Sequence, residues 1–305
     1  MNFNYHFTVM KNEAIENLNL KKDGTYLDAT LGMGGHTYGI INARQDIKKI
    51  FCIDNDSDSM KLAKQRLSGS KNKIKFIKGN FKDIDKLINE KVDGIILDLG
   101  VSTYQLLNSE RGFSFKKGTK LDMRIDLNQK LTADQILNTY PVDKISYLLK
   151  EYGEEKNHFK IASEIARYRS KKKIATSDDL TKIIEKINKR AGKIQPSTRT
   201  FQALRIAVNN ELTAIDEFLK KSDKILKRGA RLVIITFHSL EDRIVKKFFK
   251  FSESECDCPP SKMICNCKKK QTLRIVTKRP LKPSSKEINL NPSSRSAKMR
   301  IGEAI

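Results

Sequence analysis

The chain has 305 residues, with 60 Lys and Arg against 36 Asp and Glu, a formal net charge of +24 and a hydrophobic fraction of 38%. It is too apolar to stay wholly disordered and too long for a disulfide-stapled miniprotein, and at ~150 residues per domain it should hold about two domains. No apolar run approaches the ~18 residues needed to span a bilayer, and the excess of Lys and Arg favours a polyanionic partner, since neutralising phosphates releases counterions. Met1 to Lys22 lacks an apolar run behind a basic end, so it reads as mature protein rather than a signal peptide.

The first hundred residues alternate short apolar runs with helical stripes. Tyr26–Leu27 leads to Asp28 and a Gly-rich turn; Ile50–Ile53 ends in Asp54; Ile74–Ile77 is followed by Gly79; Val92–Leu97 ends in Asp98. Met60, Ala63 and Leu67 lie at i, i+3 and i+7. Strands that read as apolar runs, alternating with helices, predict a parallel sheet covered on both faces. Residues 108–120 are rich in Gly, Lys and Ser and read as loop. From Thr132 to about Asn209 the pattern is helical: Thr132-Ala-Asp-Gln135 is a capping box, Ile145, Leu148 and Leu149 share one face, and Ser177 is the expected cap of a helix with the stripe Leu180, Ile183, Ile184, Ile187. Glu211 to Lys227 predicts a helix stopped by Gly229, and Arg231–Phe237 is the strongest strand in the chain. The basic tail from Lys268 predicts one strand, Thr272–Thr277, and then a Pro/Ser-rich stretch. No internal repeat is present. The expected organisation is a discontinuous first domain, 1–107 and 208–305, with 108–207 inserted as a helical domain.

The residues that carry chemistry gather at predicted strand ends. In Asp28-Ala-Thr-Leu-Gly32-Met-Gly34-Gly35-His36, glycines let the backbone turn tightly and approach a ligand. Asp54, at the end of the next strand, is placed to accept a ribose diol. A dinucleotide fingerprint wants a third glycine where Thr37 stands, so the turn is closer to a loop for S-adenosylmethionine. Asp98 ends the fourth strand, and ligands of open parallel sheets sit beyond the carboxyl ends. His36 either caps its helix or faces the ligand. His238, in Phe237-His-Ser-Leu-Glu-Asp-Arg243, is either a structural loop residue or a polar group on the same rim. Neither a G-x-S-x-G elbow nor a P-loop is present, which leaves a hydrolase triad and a P-loop nucleotidase unsupported. Five Cys is an odd number, and four of them, Cys256, Cys258, Cys265 and Cys267, form two C-x-C pairs. They read as a structural zinc site or as redox-active or unpaired thiols in a reducing, intracellular compartment.

Long motifs run in order through the chain: Tyr5-His-Phe-Thr-Val9, Gly32–His36, Asp98-Leu-Gly-Val-Ser102, Glu110-Arg-Gly-Phe-Ser-Phe115, Leu121-Asp-Met-Arg124, Tyr152-Gly-Glu-Glu155, Thr198-Arg-Thr-Phe-Gln-Ala203, Phe237–Arg243 and Arg295-Ser-Ala-Lys298. With them the sequence resembles, over nearly its full length, the bacterial methyltransferase H (MraW) family, which modifies N4 of a cytosine in small-subunit ribosomal RNA. The resemblance implies an α/β class I S-adenosylmethionine-dependent fold, Rossmann-like with a mostly parallel sheet and an inserted all-helical domain. It implies a cytoplasmic enzyme acting on cytosine 1402 of 16S rRNA in the small subunit, with no membrane partner, as a monomer or homodimer. The family's cofactor positions fall on Gly34, Gly35, His36, Asp54, Phe81, Asp98 and Gln105. Gly34 and Gly35 would pass the methionine end, Asp54 hold the ribose, Phe81 pack on adenine, and Asp98 and Gln105 border the transfer site, with Asp98 the first choice as acceptor of a hydrogen bond from the amine. Arg111, Arg124, Arg199 and Arg205 are expected phosphate contacts, and Tyr104, Phe113 and Phe115 are expected either to support the displaced base or to pack in the core. The sequence departs at Thr103-Tyr104, where the family has Ser-Pro, and at Thr37, where it has Ser; it also lacks the Pro-Pro-aromatic motif of amino-methylating DNA enzymes. Rival readings are an RNA-binding module with a degenerate nucleotide fold and a class I methyltransferase acting on DNA or protein.

Overall fold

A computed structural model of the chain describes residues 7–102, 105, 111–113, 118–188, 195–258 and 267–305. They form two compact units, Met1–Gly100 with Leu212–Ile305, and Val101–Glu211. In chain order the elements are α1 (Lys11–Leu18), β1 (Thr25–Asp28), α2 (Gly35–Ala43), β2 (Lys49–Asp54), α3 (Ser57–Arg66), β3 (Ile74–Lys78), α4 (Ile84–Leu87), β4 (Val92–Asp98), α5 (Ala133–Thr139), α6 (Val142–Gly153), α7 (His158–Arg169), α8 (Ser177–Glu185), α9 (Thr198–Asn209), α10 (Glu211–Ile225), β5 (Leu226–Thr236), α11 (Ser239–Glu253), β6 (Leu273–Ile275), α12 (Ser285–Leu290) and β7 (Lys298–Ala304). Among the described residues no helix is long and apolar enough to cross a membrane.

The first unit is built on a seven-stranded sheet of order β3-β2-β1-β4-β5-β7-β6. β1 to β5 run parallel, and β7 is antiparallel to both β5 and β6. This is the α/β class I architecture, with its mostly parallel sheet. The strand sequences alternate with period two, and both faces are covered. Leu27, Phe51, Ile53, Ile95, Leu97, Leu232 and Ile234 point to a core closed by Ile215, Phe218 and Leu219 of α10 and Val245 and Phe249 of α11. Tyr26, Ile50, Cys52, Ile96, Val233, Ile235 and Ile301 point to the opposite core, closed by Ala14 and Leu18 of α1, Ile40 of α2 and Met60 and Ala63 of α3. β1 pairs with β2 on one side and β4 on the other, so chain order reverses there and opens a crevice at the carboxyl ends.

Three local expectations are corrected. Gly229 does not stop a helix: α10 ends at Ile225, and Gly229 lies inside β5 with φ +74°. There β5 advances from Leu226 to Arg231 while its partner β4 advances from Val92 to Gly94. Glycine supplies the positive φ that such a bulge needs. The strand predicted at Thr272–Thr277 is only Leu273–Ile275, and a further strand, Lys298–Ala304, is wedged between it and β5. The third correction is at α8, whose N-cap is Thr176 rather than Ser177; Thr176 and Asp179 form a capping box one residue earlier than expected.

The second unit is helical. The predicted Thr132–Gln135 capping box is present, and Ile136, Leu137, Ile145, Leu149, Ile161, Ile165, Leu180, Ile183 and Ile184 share one core with Phe201 and Leu204 of α9.

Candidate active site

Three neighbouring strands of the first unit end in carboxylates: β1 at Asp28, β2 at Asp54 and β4 at Asp98. The glycine turn is tied to all three. Ala29 N–H donates to Ile96 O (2.9 Å) and Leu31 N–H to Ile53 O (2.9 Å), which hooks the turn onto the strands on either side. Asp98 N–H donates to Thr30 Oγ1 at 2.7 Å. Asp28 is fully buried and accepts from Thr37 Oγ1 (2.7 Å) and Thr30 N–H (3.3 Å). Burial raises its carboxyl above the ordinary range, with the His36 charge and the Thr37 hydroxyl opposing. Asp28 is therefore a brace for the turn rather than a ligand group, and Thr37, where a dinucleotide loop would carry glycine, supplies the hydroxyl that this brace uses.

Asp54 is half-buried and accepts two backbone donors, Gly32 N–H on Oδ2 (2.6 Å) and Asp56 N–H on Oδ1 (2.7 Å). Burial pushes its pKa up to about 7, against the pull of those two donors. Each carboxylate oxygen has a second lone pair, so the ionised group can still accept a vicinal diol while anchoring the turn.

His36 lies in the first turn of α2 and is 4% exposed. Its Nε2 faces Asp98 Oδ2 at 3.4 Å. Burial works against its cation, but the facing Asp98 carboxylate and then Asp28 outweigh it and raise the imidazole pKa. Among the described residues Nδ1 of His36 and Oδ1 of Asp98 have no hydrogen-bond partner. Buried polar atoms left open in this way are costly unless a ligand or water completes them. Asp98 keeps 23% of its side chain exposed, while the unpartnered Oδ1 is itself buried.

Gly34 has φ +76°, and Gly35 packs against the N-terminal segment so closely that an added Cβ would sit 1.8 Å from Thr8 Oγ1 and 2.9 Å from Thr8 Cβ. Gly35→Ala is therefore expected to lower stability by about 1–3 kcal/mol through overpacking. Urea midpoints of Gly35→Ala, Thr8→Gly and the double variant check this; most of the loss should be recovered in the double variant, and an additive cycle would contradict the contact.

The remaining predicted site residues are dispersed. Phe81 follows β3, half-buried, with its ring edge-on to Phe218 at 5.7 Å and 88°, so one side of the ring is anchored in the core. Gln105 lies in the second unit, buried, where Ser102 N–H donates to its Oε1 (2.8 Å) and its own N–H donates to Ser102 Oγ (3.2 Å). His238 is the N-cap residue of α11; Glu241 accepts the N–H of Phe237 (2.7 Å) and of His238 (3.2 Å). The C-terminal tail adds a residue that the sequence pattern did not single out. Glu287 of α12 accepts Met10 N–H at 2.8 Å, and burial raises its carboxyl, with Asp98 adding to the rise and His36 opposing it. Its only sequence signal is the helix start at Ser284, which places nothing in space.

All four arginines expected to hold phosphate donate inside the second unit, three of them through more than one bond. Arg111 is 4% exposed and donates to the carbonyls of Arg124 (3.2 Å) and Ile125 (3.1 Å). Arg124 grips Asp122 through two bonds of 2.7 Å, and Arg205 grips Glu211 through two of 2.9 Å. Sequence alone cannot tell a fork aimed at a carboxylate from one aimed at phosphate, since the geometry is the same. Arg199 is exposed and donates to Glu154 O. Phe113 is buried in the helical core. Tyr104, Phe115 and Cys265 lie outside the described residues, as do Tyr5 and Glu110 of the quoted motifs.

Comparison with known proteins adds relatives across the whole chain. A family model described as the MraW methylase family matches residues 3–305. A protein named ribosomal RNA small subunit methyltransferase H from Clostridioides difficile (strain 630) is 42% identical over 99% of this chain and 99% of its own length. One of the same name from Clostridium botulinum (strain Kyoto / Type A2) is 45% identical over 97% of each chain. A solved structure of a putative methyltransferase from Streptococcus mutans, in complex with SAH, matches at 12% identity with a TM-score of 0.46, over 98% of this chain and 99% of that one.

Proposed function

The chain belongs to the MraW methylase family, and on that premise we propose that it transfers a methyl group from S-adenosylmethionine to the N4 amine of cytosine 1402 in the 16S rRNA of the small ribosomal subunit, in the cytoplasm. The observation that carries the reading is Asp98: a partly exposed carboxylate whose buried Oδ1 has no hydrogen-bond partner, at the end of the strand beside the topological switch and next to the glycine turn.

The residues present fit the cofactor. Gly34 and Gly35 would let the backbone pass the methionine end, Asp54 would accept the ribose hydroxyls, Phe81 would pack on adenine, and His36 would help close the sulfonium end beside Asp98. When bound, S-adenosylmethionine supplies an electrophilic methyl group on a good leaving group. The chain's task is then set by the nucleophile. The lone pair of the exocyclic amine is delocalised into the cytosine ring, so the amine must be held in line and dried. Orientation of this kind contributes roughly 7–11 kcal/mol in good cases. Asp98 accepts a hydrogen bond from the amine, which fixes its direction, and takes the proton that the amine loses as it becomes methylated. To present its amine the cytosine must leave its stack.

We assign RNA recognition to the helical unit. Its Tyr147 and Phe159 are 58% and 62% exposed, among the exposed Lys144, Lys150, Lys156 and Lys160. Ser146 Oγ and His158 Nδ1, 2.7 Å apart, hold α6 and α7 together beside these two rings. Aromatics interleaved with Lys suit stacking on splayed bases and contact with phosphate. Tyr147→Ala with Phe159→Ala should weaken rRNA binding by at least about thirtyfold, at about 1–3 kcal/mol per stacked base, without altering S-adenosylmethionine affinity. Filter binding and calorimetry check the two halves; unchanged RNA affinity would remove the surface from the account.

The function is tested by incubating the chain with methyl-labelled S-adenosylmethionine and small subunits that lack the modification. Label should enter 16S rRNA and stay out of large-subunit rRNA. Label in DNA or protein, or none at all, would overturn the proposal.

A further inference from the structure

Beyond the active site, Cys256, Cys258 and Cys267 bring their sulfurs together between α11 and β6, all within 4.8 Å of one another. The pair Cys256 Sγ–Cys267 Sγ is 3.7 Å apart. A disulfide closes to about 2.05 Å. Thiolates bound at about 2.3 Å around one tetrahedral ion lie about 3.8 Å from each other, the edge of the tetrahedron. The observed separation matches the second geometry. Three sulfurs within 4.8 Å of one another are also too close for a polynuclear iron–sulfur cluster, whose thiolates on different irons lie farther apart.

The surroundings suit a closed metal site. Cys258 N–H donates to Cys256 Sγ at 3.3 Å, the kind of hydrogen bond that orients and stabilises a ligating thiolate. Cys256 N–H donates to Ser254 Oγ (3.2 Å), and the Ser254 hydroxyl donates back to Cys256 O. The Lys269 ammonium donates to the carbonyls of Phe251 and Ser254, the last turn of α11 and its cap. Thr272 N–H donates to Ser252 O at 2.9 Å, which pins the far end of the segment to the same place. Lys268, Lys269 and Lys270 follow Cys267 directly and offset the negative charge of a thiolate cage. Cys265, outside the described residues, is the fourth thiol that the paired C-x-C spacing offers.

We propose that this cluster binds one Zn²⁺ as a structural site, with Cys256, Cys258 and Cys267 as three of its ligands. Thiolate-rich zinc sites of this kind are structural, so the ion ties the segment between α11 and β6 to the sheet and takes no part in methyl transfer.

The test is metal analysis of the full chain, purified with a thiol reductant from zinc-supplemented cells. Wild type should hold about one zinc per chain. Cys256→Ser, Cys258→Ser and Cys267→Ser should each retain less than about a tenth of that, while Cys52→Ser, buried in the sheet core, retains it all. Should a serine variant fail to fold, titration of metal-free wild type with Co²⁺ decides: the intense visible bands of a tetrahedral cobalt thiolate are expected. Wild type without zinc and without those bands, zinc retained by the serine variants, or a Cys256–Cys267 disulfide found by mass spectrometry of the reduced preparation would each overturn the site.

Discussion

Asp98→Asn should reduce the rate of methyl transfer by about two to four orders of magnitude, the range for loss of a positioned proton acceptor, or about 3–5 kcal/mol of transition-state stabilisation. Asparagine keeps the shape of the side chain. It can still face His36 and leave the Asp98 N–H to Thr30 Oγ1 bond intact. What it loses is the charge that orients the amine and receives its proton. The cationic amine formed on methyl transfer is far more acidic than the neutral amine, so a carboxylate in this place can take its proton and an amide cannot. Single-turnover rates with saturating cofactor and small subunits read the effect, and RNA affinity should stay within about twofold of wild type, as expected of an interaction made only in the transition state. An unchanged rate would remove Asp98 from the chemistry.

The second large effect is at Asp54. Hydrogen bonds to a charged group contribute about 1.5–3 kcal/mol each, so Asp54→Ala should weaken S-adenosylmethionine binding by at least tenfold, and by more than a hundredfold if both ribose hydroxyls are lost. The alanine also releases Gly32 N–H and Asp56 N–H, which loosens the turn, so Asp54→Asn separates the two contributions. The pH dependence carries the sign. Burial raises this carboxyl to about 7, and the ionised form is the one that accepts a diol. Affinity should therefore be constant above about pH 8 and fall toward tenfold per pH unit below about 7. That slope should vanish in Asp54→Asn. Calorimetry from pH 8 to pH 6 checks it, and a wild-type affinity flat through this range contradicts the ribose assignment.

What could be read from residue order was the local part of the architecture. The apolar runs ending in Asp28, Asp54 and Asp98 are strands that terminate on those residues, because a strand buried on both faces leaves its first polar residue at the rim. The capping box at Thr132 was legible for the same reason: its signal spans only four residues. Non-local pairing was not legible. Lys298–Ala304 alternates Met299 and Ile301 with Arg300 and Gly302, and only the vacant flank of β5 makes a strand of it. Gly229 reads equally well as a helix stop or a bulge, and the register of β4 against β5 decides. The arginines show the same limit for function. Arg111, Arg124 and Arg205 have the composition of a phosphate site, but their forks are filled by the chain's own carbonyls and carboxylates. The role of Asp28 as a brace depends on complete burial beside Thr37, which a motif cannot express.

The most direct measurement is the atom that receives the methyl group. After reaction with S-adenosylmethionine bearing a heavy-isotope methyl, 16S rRNA is cut to oligonucleotides and nucleosides and analysed by mass spectrometry. On the proposed function, label is expected as N4-methylcytidine confined to the fragment that contains position 1402. Label on a ring carbon or a ribose oxygen, or in another fragment, would contradict it.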